Sequence, residues 1–149
     1  MTRADFYIIP AKESAEGFIC KLAGKIREQA LTIHVHTESR QSAQSVDELL
    51  WTFKDISFLP HAMADTRDDA GDTPIRIGWQ GHTPPPGDVL INLTGTIPDF
   101  SGDFARIIEV VPSRDPERSR ARERYRQYRE LGYELHSHDL ESGNAAIQQ

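Results

Sequence analysis

Two hydrophobic periods alternate along this chain. Asp5 to Ile9 (DFYII) is a short β-rich run stopped by Pro10 and predicts a strand. Ser14 then offers an N-cap. Phe18, Ile19, Leu22, Ala23, Ile26 and Ala30 follow at helical spacing, with Lys21, Lys25, Arg27 and Glu28 between them. Leu31 to His36 (LTIHVH) alternates and predicts a second strand. A strand, helix and strand within about 36 residues form a parallel crossover unit, which is right-handed.

Ser42 to Phe53 predicts a second helix with Val46, Leu49, Leu50 and Phe53 on one face; Ser45 and Glu48 also fit a capping box. FLPHAM (Phe58 to Met63) and the polar loop Ala64 to Thr73 come next, then a third strand, Pro74 to Gly78. After the turn-rich Gln80 to Asp88, the unbroken apolar run Val89 to Leu93 predicts a fourth strand buried on both faces. Ile97 to Phe104 reads as an irregular segment with two aromatics. Arg106 to Val111 predicts a fifth strand, stopped by Pro112. A helix follows that ends at Gly132, and Tyr133 to His138 predicts a sixth strand. Alternating strands and helices make an open α/β sheet, mostly parallel, with helices on both faces. Residues 1–140 read as one domain and 141–149 as a loose tail.

Charge changes the picture at the last helix. Between Arg114 and Glu130 seven arginines face four acids, a surplus of +3 in a chain whose net charge is −6, so the remainder carries −9. At about 100° per residue, Arg118, Arg129, Arg122 and Arg126 fall within about 80° of one another, with Tyr125 and Ala121 bordering the stripe. Such a run reads either as a solvated face threaded with ion pairs to Glu123 and Glu130, or as guanidinium donors for an acidic peptide, a terminal carboxylate or a phosphate backbone. Arg120 and Arg124 point off the stripe and keep the solvated reading. The acidic remainder argues against a dedicated nucleic-acid binder.

Several chemistries lack their residues. The first strand leads into PAKESAEG, with neither a G-x-G-x-x-G nor a Walker-type loop, so no glycine-rich turn approaches a pyrophosphate and no nucleotide cofactor is expected. His34 with His36, and His136 with His138, lie two apart on strands, but no zinc motif accompanies them; they read as ordinary histidines at a sheet surface, and no metal is expected. Cys20 is the one cysteine and falls on the apolar face of the first helix, so it reads as a buried core residue in a chain without disulfides. No apolar run approaches the ~20 residues of a membrane span. Leu, Ile, Val and Phe number 34, enough for a core, and the expectation is a cytoplasmic domain; no motif supports an enzyme, and none excludes one. Trp51 lies off the apolar stripe of the second helix. With Phe58 it forms either a satellite cluster or an exposed anchor for a partner.

FYII, ELLWTF, SFLPH, DVLINL, FARIIEVVP and ARERYRQYRELGYEL, in that order over about residues 5 to 136, resemble the chi subunit of bacterial DNA polymerase III, an accessory protein of the clamp-loader complex. The resemblance implies a Rossmann-like sheet without a phosphate-binding loop and a non-enzymatic role at the replisome. It further implies that Arg118, Arg122, Tyr125 and Arg126, with Arg129 beside them, receive the acidic C-terminal tail of single-stranded DNA-binding protein. That tail ends in a phenylalanine carboxylate. Trp51 and Phe58, with Pro60 and His61 of the same motif, would face the small subunit psi or a helicase-like partner. DNA would then be reached only indirectly. The rival reading is an Arg-rich helix that binds single-stranded nucleic acid itself.

Overall fold

The computed structural model describes residues 2–52, 61–63 and 73–140. Among these residues the strands are β1 (Arg3–Ile8), β2 (Ile33–Thr37), β3 (His61–Met63), β4 (Ile75–Trp79), β5 (Gly87–Asn92), β6 (Phe104–Val111) and β7 (Glu134–Asp139). The helices are α1 (Ala15–Glu28), α2 (Arg40–Thr52) and α3 (Glu117–Glu130), with a single 3-10 turn at Ser101–Asp103. The strands form one open sheet in the order β3-β4-β2-β5-β6-β1-β7, with every neighbouring pair parallel.

The period-2 alternation of each strand divides its side chains between two cores. Tyr7, Ile33, Val35, Val89, Ile91 and Ile108 face α1 and α2, whereas Ala4, Phe6, Leu90, Ile107 and Val111 face α3 and the aromatics Phe100 and Phe104. The helices therefore cover both faces. The run at β5 is unbroken because both of its faces are covered. Cys20 lies buried in the first core, where burial pushes its thiol up to about 11.

Six strands are legible by pattern, and the structure has a seventh. β3 is three residues long and pairs only with β4 at the sheet edge, too short for alternation to register. α2 begins two residues before the expected Ser42. Ser39 Oγ accepts the Ser42 N–H at 3.1 Å and caps it, while Ser45 donates back to the Gln41 carbonyl instead of forming a capping box. At α1 the expected cap holds, Ser14 Oγ accepting the Gly17 N–H at 3.0 Å. At the end of α3, Gly132 has φ 86°, Tyr133 N–H reaches the Tyr128 carbonyl, and Gly132 N–H reaches that of Arg129. This is the left-handed glycine termination that hydrogen-bonds the last carbonyls of a helix.

Of the strand histidines, His136 keeps its place at the surface, bonding the exposed Glu134 at 2.6 Å on edge strand β7, whereas His34 and His36 do not. His34 and His36 are buried under Phe100 and Phe104, His36 lying 4.9 Å from the Phe100 ring, because the irregular segment before β6 roofs this part of the sheet. His138 stacks on Tyr7 at 4.4 Å and bonds the buried Asp5 at 2.9 Å, beside Arg3 and Arg106. Burial alone would raise the Asp5 pKa, but the bonds from His138, Arg3 and Arg106 outweigh it and hold the carboxyl low. The 141–149 tail lies outside the described residues.

Candidate functional site

α3 sits on the sheet through Ala121, Arg124 and Tyr128, a stripe at heptad-like spacing. Beneath it, Phe6 of β1, Glu109 of β6 and Asn92 of β5 stand side by side in register. Glu109 is fully buried and accepts three bonds: Arg124 Nε at 3.0 Å, Tyr128 Oη at 2.7 Å and Asn92 Nδ2 at 2.8 Å. Burial pushes the Glu109 carboxyl up, and the Arg124 charge with the three donors opposes that push. Tyr128, buried beside Glu109, has its phenol pKa raised.

Arg124 therefore departs from the solvated reading. It is a core cation that pairs with the buried acid of β6. The signal was present in RIIEVV, since a glutamate in a strand buried on both faces requires a charge partner.

The same network closes the carboxyl ends of β5 and β6, where open α/β sheets place their ligands. Asn92 Oδ1 accepts from the backbone N–H and hydroxyl of Thr94, and its Nδ2 donates to the Thr96 carbonyl. Gly95 donates its N–H to Glu38 at 2.7 Å and receives Arg124 Nη1 on its carbonyl at 3.3 Å. A loop tied at four points occupies the space above these strands.

The stripe flanking the buried one faces β1 and β7, and a cavity of about 150 Å³ lies there. Phe6, Ile8, Val111 and Ala121 supply its apolar lining, Ser137 of β7 contributes a hydroxyl, and Tyr125, Arg118 and Arg122 complete it. Tyr125 is braced edge-on by Phe6, with ring centroids 5.1 Å apart. An apolar hollow of this volume accepts a benzene ring. Arg118 is half-buried and Arg122 exposed. Both lie near Asp115, whose carboxyl is held low first by its bond from the Ser119 hydroxyl and then by these two charges. The arrangement is a ring-sized apolar socket with guanidinium groups beside it.

Three of the five stripe residues, Arg118, Arg122 and Tyr125, meet at the cavity. Arg126 pairs with Glu123 at 3.1 Å on the outer surface, and Arg129 is exposed in the last turn. The strand side of the cavity was missed, although the alternation in DFYII places Phe6 and Ile8 on one face.

On the opposite face of the sheet, Trp51 is 57% exposed at the end of α2, its ring 4.3 Å from that of His61. His61 is buried beneath it on β3, 3.8 Å from Asp47, so it supports Trp51 from below. Phe58 and Pro60 lie outside the described residues. Among the described residues, no group of three His, Cys, Asp or Glu is placed to hold a metal, and no helix is long and apolar enough to cross a membrane.

Comparison with known proteins agrees with the motif reading. The family model described as DNA polymerase III chi subunit, HolC, matches residues 1–136. The chain is 37% identical over 145 residues to the DNA polymerase III subunit chi of Pseudomonas aeruginosa, covering 94% of this chain and 98% of that one. It is 36% identical over 140 residues to the subunit of the same name from Haemophilus influenzae, covering 92% and 96%. Against the Escherichia coli subunit it is 29% identical over 144 residues, covering 92% and 97%.

Proposed function

Because the chain belongs to the DNA polymerase III chi subunit family, we propose that it serves as a non-catalytic accessory subunit of the replicative polymerase. It links the clamp loader to single-stranded DNA-binding protein by receiving that protein's acidic C-terminal tail. The observation that carries this reading is the socket of about 150 Å³ between α3 and the sheet edge, apolar within and lined by Arg118 and Arg122. A terminal phenylalanine has the two parts this socket takes: a ring for the hollow and a carboxylate for a guanidinium. The aspartates that precede it meet the remaining arginines of the helix, with Arg126 and Arg129 at longer range. Such contacts are exposed, so they are weak individually and screened by salt.

Trp51, exposed and backed by His61, fits a second docking point for the small subunit psi or a helicase-like substitute. It lies across the sheet from the socket, so both partners can be held together. The protein then reaches DNA only through its partners, and its setting is the cytoplasmic replisome.

Titration of a free tail peptide tests the tail assignment. Binding should be saturable, should be lost when the terminal phenylalanine is removed, and should weaken as salt rises. Equal affinity with and without that phenylalanine overturns it. Affinity for oligonucleotides with which the peptide does not compete would instead favour direct nucleic-acid binding. For the second face, Trp51→Ala should abolish co-purification with psi while leaving peptide binding intact; retained co-purification removes Trp51 from that role.

A further inference from the structure

A second cavity, of about 270 Å³, lies at the opposite end of the sheet, where β2, β4 and β5 begin. His34 and Arg76, neighbours in register on β2 and β4, line one side of it, and the Pro84–Pro86 run and Phe104 line the others. Its walls are held in place. Thr32 N–H donates to Asp88 at 2.9 Å, which fixes the start of β5 against β2. Gly87 permits Phe104 to close in, since a Cβ there would stand 3.1 Å from the ring. None of these residues takes part in the socket beside α3 or in the network under Arg124.

Among the described residues, one imidazole nitrogen in this lining has no hydrogen-bond partner. His34 is only 6% exposed, and its Nε2 is buried with no hydrogen bond among the described residues. A buried nitrogen left without a hydrogen bond is destabilising, so its persistence asks for a reason. Burial, with the charges of His36 and Arg76 nearby, pushes the His34 pKa down to about 3, and the imidazole is neutral near pH 7. A neutral imidazole carries one donor and one acceptor and suits an uncharged hydroxyl or ring N–H.

The remaining lining narrows the ligand class. Three consecutive prolines and a phenylalanine offer flat apolar walls that favour a planar ring. The volume lies just below the roughly 300–1,000 Å³ of pockets for drug-sized molecules, which limits the ligand to a single ring or a fused pair. The Asp88 carboxylate, bonded to Thr32 beside the cavity, offsets the Arg76 charge in the lining, so the site carries no net charge that would favour an ionic ligand. We propose that this cavity binds a small uncharged aromatic molecule bearing a hydroxyl or ring N–H, held between the prolines and Phe104 and hydrogen-bonded to His34 Nε2. The nitrogen is shielded in the unliganded chain, so the proposed bond requires the imidazole to turn about Cβ–Cγ, a torsion with a broad energy minimum.

Nuclear magnetic resonance titration of the whole chain with p-cresol tests the proposal, with toluene and 4-methylbenzoate as controls. Saturable shifts are expected at Thr32, His34 and Gly87, together with a move of the His34 Nε2 resonance. Toluene should bind about tenfold more weakly, the loss expected for one hydrogen bond to a buried polar group. His34→Leu should weaken p-cresol by a similar factor while leaving tail-peptide affinity unchanged. Equal binding of p-cresol and toluene, shifts that map elsewhere, tighter binding of the benzoate, or no saturation each overturns it. If His34→Leu fails to fold, the Nε2 resonance of the unaltered chain decides, and an unmoved resonance counts against the proposal.

Discussion

Arg122 and Arg124 stand two residues apart on α3, in a run where every second residue from Arg118 to Arg126 is arginine, and their surroundings have little in common. Arg124 is 8% exposed and meets a carboxylate with no exposure at all, 3.0 Å away, under Tyr128 and beside Asn92. Arg122 is exposed, lines an apolar hollow, and has the partly compensating charge of Asp115 nearby. The helix surplus of +3 becomes +2 once Arg124 is set against Glu109 of β6. Charge composition thus overstates what this helix offers a partner, and burial decides which arginine is structure and which is surface.

Removing Arg124 gives the largest effect. Arg124→Ala leaves Glu109 buried without its cation and should cost about 3–5 kcal/mol in urea unfolding. The double change Arg124→Leu with Glu109→Leu should recover much of that loss, because it removes both charges together. If Arg124→Ala unfolds no more easily than the unaltered protein, the buried pair is not what seats α3 on the sheet.

Arg122→Ala sharpens the comparison from the other side. Stability should stay within about 0.5 kcal/mol of the original, as for most surface changes. Affinity for the tail peptide should fall about tenfold, the value of one charge-assisted bond to a carboxylate. A change in unfolding midpoint as large as that of Arg124→Ala would erase the distinction between the two residues. Arg126→Ala should do less, about two- to threefold at low salt and nothing at high salt, because its guanidinium already pairs with Glu123 and does not line the hollow.

The contrast also marks how far the sequence could be read. Helical periodicity placed Arg118, Arg122 and Tyr125 together, since angular spacing on a helix survives folding almost unchanged. The same wheel sent Arg124 toward solvent, because a wheel ranks faces by polarity and this helix turns a charged residue inward. What brings it in is Glu109, fifteen residues away on another element, and a pairing between elements is not encoded in local period. The sheet was legible for the same reason as the stripe, through the alternation of β2 and the short apolar runs of β1 and β5. β3 was lost because three residues carry no period. His34 and His36 were misplaced because Phe100 and Phe104, which cover them, come from the segment before β6 and from its first residue, where the sequence shows no regular pattern.

Asp115 supplies the smallest effect and the one with opposite sign. Its carboxylate accepts from the Ser119 N–H at 3.1 Å and from the Ser119 hydroxyl at 2.7 Å, and so serves the first turn of α3. It also sits close enough to Arg118 and Arg122 for their charges to lower its pKa, and so competes with any carboxylate that docks beside them. Asp115→Asn keeps an oxygen to accept from Ser119 but removes the charge. Peptide affinity should therefore rise about twofold at low salt, with the gain vanishing as salt screens it. Because the carboxyl is held below its usual range, it stays ionised through neutral and mildly acidic pH. The competition should weaken only as pH falls through that lowered value, and there the two proteins should converge. A loss of affinity in Asp115→Asn would mean that the carboxylate orients the arginines for the ligand instead of competing with it, and isothermal titration of both proteins at two salt concentrations separates these outcomes.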